Sequence, residues 1–360
     1  MKKTILLVLV AVLFVQGASF ACSSFRLSAK DGSVVFGRSM EFPIDIESSI
    51  WIVPRGTKYS ITNNDGVAGL SWTSKYGVLG IDGYKVKNSF VDGFNEKGLS
   101  VSGLMFDSSI YQKVVPGKYI PFDMLGTWAL GNFATVDEVK KALPNIIVTD
   151  TSVEKLKGMG FHFFIDDPGG KGIVVEYIDG KLRVFDNKVG VMTNCPDYNW
   201  QMNNLRNYIN LNAHDIEPKT INGVEIIPTG VGSGMLGLPG DWSPPSRFIR
   251  LAIASSNALP AKNSIEAINL AKHLLNIVDI PKGVIKENPK PSVEIYGFAQ
   301  WIIVKDLTNK VLYFKTYTNP VWRSVDLKKF SLKPGTHRKS MSIDNSILSV
   351  PDVSDKFKSQ

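Results

Sequence analysis

The sequence predicts an α+β fold. Strand-like runs come in groups, helix-like runs fall between the groups, and the turns within a group are short enough to force antiparallel pairing. Strands alternating singly with helices would instead read as a doubly wound parallel sheet. Apolar residues make up 44% and charged residues 21% of 360, so one large core can form without staples. No internal repeat, no Pro/Gly/Ser-rich linker and no composition break divides the chain. Residues 22–360 read as one domain behind a leader at 1–21.

The elements follow in order. Residues 22–29 and 34–40 are strands around the turn Lys30-Asp31-Gly32-Ser33, and 49–53 is a strand closed by Pro54-Arg55-Gly56. A second hairpin joins 89–94 to 99–106 through Asn95-Glu96-Lys97-Gly98. Helices are expected at 122–132 and at 136–143, the latter with Thr135 as N-cap before Glu138. Strands return at 160–165, 171–177, 181–186 and 189–193, separated by Asp166-Asp167-Pro168-Gly169-Gly170 and Asp179-Gly180. Helices at 198–211, 246–256 and 264–278 precede strands at 295–304, 311–317 and 322–326. The last thirty or so residues are polar and read as a surface wrap. Residues 212–243 form a long loop with Gly230, Gly232, Gly234, Gly237 and Gly240, of a length that more often carries function than not.

The formal charge of +8 is spread thinly over residues such as Lys155, Arg183 and Lys328, with no dense basic block, which argues against nucleic acid as a partner. His162, His214, His273 and His337 show no metal-ligand spacing and read as surface or core; no metal or organic cofactor is expected. Gly232, Gly234 and Gly237 fit GxGxxG, but Pro239, Pro244 and Pro245 follow where a helix would have to open. No GxSxG or HExxH is present. At the N-terminus, Met1-Lys2-Lys3, an apolar run over 4–15, and small Ser19 and Ala21 have the order of a secretory signal peptide, implying a periplasmic or secreted product. That run is too short for a permanent span, which needs about 20 residues, and no later stretch approaches that length.

Cleavage after Ala21 would make Cys22 the first residue, and three readings compete. Cys22 could be lipid-modified, giving an anchored binding protein, although Ser19 and Phe20 suit that route poorly. It could pair with Cys195, the only other cysteine, in an oxidising compartment. Or it could be a catalytic N-terminal thiol. A thiol and an α-amine both titrate near neutrality, so one residue can supply nucleophile and base, and a nearby cation would favour the thiolate.

Five segments carry a resemblance. Cys22-Ser23-Ser24-Phe25-Arg26, Phe36-Gly37-Arg38-Ser39-Met40-Glu41, Asn95-Glu96-Lys97-Gly98-Leu99, Gly190-Val191-Met192-Thr193-Asn194, and Leu238-Pro239-Gly240-Asp241 through Ser246-Arg247-Phe248 resemble, in colinear order, the choloylglycine hydrolase family of bile salt hydrolases and penicillin V acylases. The resemblance implies an Ntn-hydrolase fold, a four-layer αββα sandwich, and cleavage of small N-acyl amides; it also suggests a homotetramer. It makes Cys22 the nucleophile, Arg38 the cation beside the thiolate, Asn194 the oxyanion-site amide and Arg247 a residue near the reaction centre, with Arg250 structural. Glu41 stands where the family commonly has Asp, holding the α-amine. Met105 stands where many bile salt hydrolases have asparagine, which leaves only its backbone N–H as a donor. Met40, Met105 and Trp242 are expected to receive the acyl group. With the leader, the pattern resembles the exported Gram-negative branch, which leans towards penicillin V and N-acyl homoserine lactones. Bile salts conjugated to glycine or taurine are the alternative, and N-acyl ethanolamines a further one.

Overall fold

A computed structural model describes residues 21–290, 293–344, 351–352 and 354–357; most of the expected leader, 1–20, lies outside these residues. Two antiparallel sheets form from the alternating runs. In the first, Val191–Met192, Ser23–Ser28, Val34–Phe42, Val293–Asp306, Val311–Thr316 and Arg323–Asp326 lie side by side, with Ile285–Lys290 also paired to Val293–Asp306. In the second, the order is Lys181–Asp186, Gly172–Ile178, Phe161–Asp166, Ser100–Met105, Phe90–Asn95, Val78–Asp82, Ser49–Val53 and Lys339–Ser342. The polar tail is therefore not only a surface wrap: its Lys339–Ser342 segment is the edge strand of the second sheet, in register with Ser49–Ile52.

Turn chemistry fixes the hairpins. Asn95 Oδ1 accepts from the N–H groups of Lys97 and Leu99 at 2.9 and 3.2 Å, while Gly98 takes φ +90°, which a side chain would resist. The helices α1 (Leu125–Asn132) and α2 (Val136–Ala142) cover the outer face of the second sheet; Thr135 caps α2, as expected, by accepting from Glu138 N–H. The expected helix at 198–211 is shorter, α3 (Tyr198–Leu205), and passes into a 3-10 turn. The helices α4 (Pro244–Asn257) and α5 (Ser264–Asn276) pack on the outer face of the first sheet. The result is the four-layer αββα order.

Between the sheets the packing is mostly apolar, with Phe36 edge-on to Phe164 at 5.1 Å, but charges also cross. The first sheet supplies cations and the second anions: Arg26 meets Asp166 at 2.7 Å, and Arg38 and Lys305 both meet Asp92, at 2.6 and 2.7 Å. The glycine-rich segment at 212–243 forms a small exposed hairpin, Lys219–Ile221 with Val224–Ile226, before entering α4. Among the described residues no helix is long and apolar enough to cross a membrane.

Candidate active site

Cys22 immediately precedes the first strand, whose register pairs Ser23 with Ser39 and Ser24 with Arg38. Antiparallel partners share a face, so Cys22, Arg38 and Met40 point between the sheets, whereas Ser23, Ser39 and Glu41 point towards α4 and α5. The Cys22 thiol is buried, with Met40 Sδ at 3.6 Å and the Glu41 carbonyl at 3.9 Å. Burial pushes its pKa up; Arg38 and Arg247 pull it down and Glu41 adds to the rise. The neighbouring cations thus act in the direction expected from the sequence, but burial outweighs them in this state.

Arg38 is fully buried, and its terminal nitrogens donate to Val91 O, Asp92 Oδ2, Gly103 O and, weakly, Met40 Sδ. With its terminal N–H groups committed to the protein, Arg38 acts on the thiol through its charge. On the other side, Asn194 follows the edge strand beside Ser23–Ser28. Its Oδ1 accepts from Cys22 N–H at 2.7 Å and from Arg247 Nη2 at 2.9 Å, and its Nδ2 donates to Met105 O at 2.8 Å. Two donors facing Oδ1 orient the amide, and one Nδ2–H remains beyond the bond to Met105.

Arg247 sits one turn into α4. Asp241 positions that turn by accepting from Ser243 N–H and Ser246 Oγ, bonds that hold its carboxyl down at about 2, while Pro244 and Pro245 open the helix without needing N–H partners. From there Arg247 Nη1 reaches Cys22 O and Ser23 Oγ, each at 2.6 Å, and Nε reaches Trp242 O. Burial draws its pKa down to about 10. Arg250 instead ties loop carbonyls of Pro239, Asp241 and Ile277, the structural part expected of it.

The part expected of Glu41 needs a free α-amine, which exists only once Cys22 is parted from Ala21. In the chain still joined to Ala21, the Cys22 N–H is held by Asn194, and both Glu41 carboxylate oxygens are buried without hydrogen-bond partners among the described residues. Burial raises its pKa from 4.5 to about 8 against the pull of Arg247 and Ser39. Because the folded pKa exceeds the unfolded one, its contribution to stability is fully present below about pH 4.5 and is lost as pH rises through about 8. The uncleaved Glu41→Gln chain is therefore expected to lose less Tm than the parent between pH 5 and pH 9, by a few degrees; equal slopes in thermal melts would contradict this.

Met40, Phe42, Met105, Phe122, Phe161 and Phe163 line an apolar cavity that reaches Cys22 and Arg38. Trp242, expected there, is not among its walls: its indole N–H donates to Asp279 O, just past α5, at 3.2 Å. Cys195 stays a free thiol, half-buried, with Ser108 Oγ at 3.7 Å; Cys22 is free as well, and no disulfide joins them. Residues to which the sequence assigns no part in the site complete the surroundings. His162 donates Nε2–H to the carbonyl of Thr193, next to Asn194, stacks on Phe106, and meets Glu176 through Nδ1 at 3.1 Å. Asp92 and Lys305 brace Arg38 from behind. Their signal was present: both are charges at inward positions of otherwise apolar strands.

A four-layer αββα sandwich with a buried cysteine at the head of its first strand, flanked by two arginines and an oriented asparagine, is the architecture of an Ntn-fold hydrolase of linear amides. Comparison makes the assignment specific: residues 22–346 match the family described as linear amide C–N hydrolases, choloylglycine hydrolase family, and the chain belongs to that family. It is 34% identical over 339 residues to the bile salt hydrolase/transferase of Clostridium perfringens, covering 90% of this chain and 99% of that one. It is 30% identical over 350 residues to the penicillin V acylase of Pectobacterium atrosepticum, covering 91% and 86%. The crystal structure of a mutant conjugated bile acid hydrolase from Clostridium perfringens superposes with a TM-score of 0.82 at 33% identity, over 92% of this chain and 99% of that one. The protein is a hydrolase of carbon–nitrogen bonds in linear amides.

Proposed function

We propose that this chain is an exported amidohydrolase in which removal of residues 1–21 frees Cys22 as an N-terminal nucleophile for apolar N-acyl amides of the penicillin V and N-acyl homoserine lactone kind. The observation that carries it is the Cys22 thiol opening on a cavity walled by Met40, Met105 and aromatic rings, with the Asn194 amide bound to Cys22 N. The freed α-amine takes the thiol proton and sulfur attacks the amide carbonyl. The developing oxyanion receives the spare Nδ2–H of Asn194 and a backbone N–H, assigned to Met105. The ammonium gives its proton to the leaving amine, and water, deprotonated by the same amine, hydrolyses the thioester. The Glu41 carboxyl, held protonated by burial up to about pH 8 and without a hydrogen-bond partner among the described residues, would ionise to pair with the new ammonium.

Glycine- or taurine-conjugated bile acids are the second reading, favoured by the identity to the Clostridium perfringens enzyme. The test is amine release from penicillin V, glycocholate, taurocholate and N-acyl homoserine lactones by protein purified from an exporting host, beside a Cys22→Ser control. Intact mass is read on the same sample. Loss of residues 1–21 with Cys22-dependent cleavage of penicillin V or the lactones is the expected result. Preference for the bile conjugates would move the assignment to the second reading, and an added diacylglycerol mass would replace it with a lipid-anchored protein.

A further inference from the structure

Lys305 is a fully buried lysine whose Nζ sits 2.7 Å from Asp92 Oδ1, 3.0 Å from Ser102 Oγ and 3.5 Å from Val101 O. The hydrogen-bond arithmetic fixes its charge. Ser102 spends its hydroxyl proton on Asp92 Oδ2 at 2.5 Å, and a carbonyl can only accept. All three of these partners therefore take protons from Nζ, and only an ammonium has three to give. Its Nζ also sits over the Phe36 ring, 4.2 Å from the centroid. Asp92, also fully buried, accepts from Lys305 on one oxygen and from Arg38 Nη1, at 2.6 Å, on the other.

The chain thus carries a buried triad of two cations around one carboxylate, where Arg38 and Asp92 alone would satisfy each other's charge. A neutral Arg38–Asp92 pair would present only a dipole to the Cys22 thiol, because the carboxylate sits behind the guanidinium and cancels much of its field. A second cation behind that carboxylate removes the cancellation. We propose that Lys305 is a positioning residue for the reaction: by neutralising Asp92 it leaves the full positive charge of Arg38 acting on Cys22, while Asp92 pins the guanidinium between the sheets. This rests on the reading of Cys22 as the nucleophile and goes beyond it.

Other charges face the same space and are shared by parent and variants, so their titration enters every curve alike. Burial holds the Lys305 pKa below its ordinary value and Arg38 adds to the fall, while Asp92 and, more weakly, Asp166 pull it back up. Asp166, from the Phe161–Asp166 strand, is itself paired to Arg26, with Asp167 beside it. Glu41 and Arg247 act on Cys22 from the helix side.

The experiment measures the rate of Cys22 alkylation by iodoacetamide as a function of pH, read by peptide mass spectrometry so that Cys195 is scored separately. It requires no substrate. Lys305→Met keeps the stem and removes the charge; with Lys305 on the order of 10 Å from the thiol and an effective dielectric of about 20, the alkylation midpoint is expected to rise by about one pH unit. At pH values below the midpoint that is about tenfold slower alkylation. The double variant Asp92→Asn/Lys305→Met removes one charge of each sign and keeps an acceptor for Arg38. Its midpoint is expected to return to the parent value or fall below it.

That reversal distinguishes charge from packing, since a merely structural role for Lys305 makes the double variant at least as impaired as the single one. The proposal is overturned if Lys305→Met leaves the midpoint within about 0.2 pH units, or if the double variant lies above the parent, within the precision to which one unit equals a tenfold change. Should the single variant not fold, the charge-balanced double variant decides on its own, since a midpoint above the parent overturns the idea. Arg38→Met separates this from the underlying reading. If it too leaves the midpoint unmoved, the assignment of Arg38 to the thiolate fails; if it raises the midpoint and Lys305→Met does not, only the present proposal fails.

Discussion

Replacing Cys22 with Ala is expected to reduce amide turnover at least about 10⁴-fold, the scale on which removal of a catalytic nucleophile acts, while the fold persists. The two halves of this expectation have separate grounds. Turnover depends on sulfur because, among the described residues that line the cavity, Cys22 carries the one thiol, held between Arg38 and Asn194, whereas Ser89 spends its hydroxyl proton on Asp123 O. Stability depends on it little. The thiol makes two weak contacts, to Met40 Sδ and Glu41 O, so losing one sulfur atom costs about 1 kcal/mol. The checks are hydrolysis rates and a thermal melt on the same preparation. Residual activity above about one part in a hundred would remove Cys22 from the mechanism, which needs the 10⁴-fold loss.

Asn194→Ala is expected to lower kcat by about 10²–10³, the usual cost of one oxyanion donor, with a smaller change in KM. It differs from the Cys22 variant in also weakening the fold. Removing the amide leaves Met105 O without its donor and Arg247 Nη2 and the Cys22 nitrogen without their acceptor, all buried, at about 1–3 kcal/mol. Asn194→Asp separates the two parts. The new carboxylate still accepts from Arg247 and from the Cys22 nitrogen but gives up the N–H, so kcat should fall as far while Arg247 keeps its partner. An Asn194→Ala enzyme whose kcat stays within threefold of the parent would move the oxyanion site elsewhere.

The elements were legible where one signal dominated. The first hairpin, the Asn95–Gly98 turn and the Thr135 cap all follow from turn or cap residues beside regular alternation. The Val78–Asp82 strand did not, because Val-Leu-Gly-Ile-Asp is short, contains a glycine and is buried along its length, so no polar face alternates with an apolar one. Lys339–Ser342 did not either: a polar edge strand carries an alternation of exposed residues that resembles a loop. At the site, Cys22, Arg38, Met40, Asn194, Arg247 and Met105 converge from five separate stretches, and only the motif order made them legible as a set. Trp242 was misplaced because an aromatic residue next to a motif carries no sign of which way it points; its indole is spent on Asp279 O. Asp92 and Lys305 show in the sequence as charges within apolar strands and His162 is core, as expected, but their partners lie on other strands, so the sequence does not say what each one pairs with.

The crossing charges between the sheets bear on how the sandwich finds its alignment. Two apolar faces can dock at several offsets, since a slide of two residues, about 7 Å, returns every inward side chain to an inward position. Arg26, Arg38 and Lys305 make those offsets unequal: sliding would strand each cation opposite a ring or an aliphatic chain and leave Asp92 and Asp166 bare. Each stranded ion costs several kcal/mol, and together they exceed the whole margin by which a domain is folded. The ion pairs therefore work as the teeth of a vernier, contributing little adhesion and a great deal of discrimination between settings. Cys22 comes from one side of that scale and the cavity walls Met105, Phe161 and Phe163 from the other, so the setting is what brings the nucleophile over its acyl site.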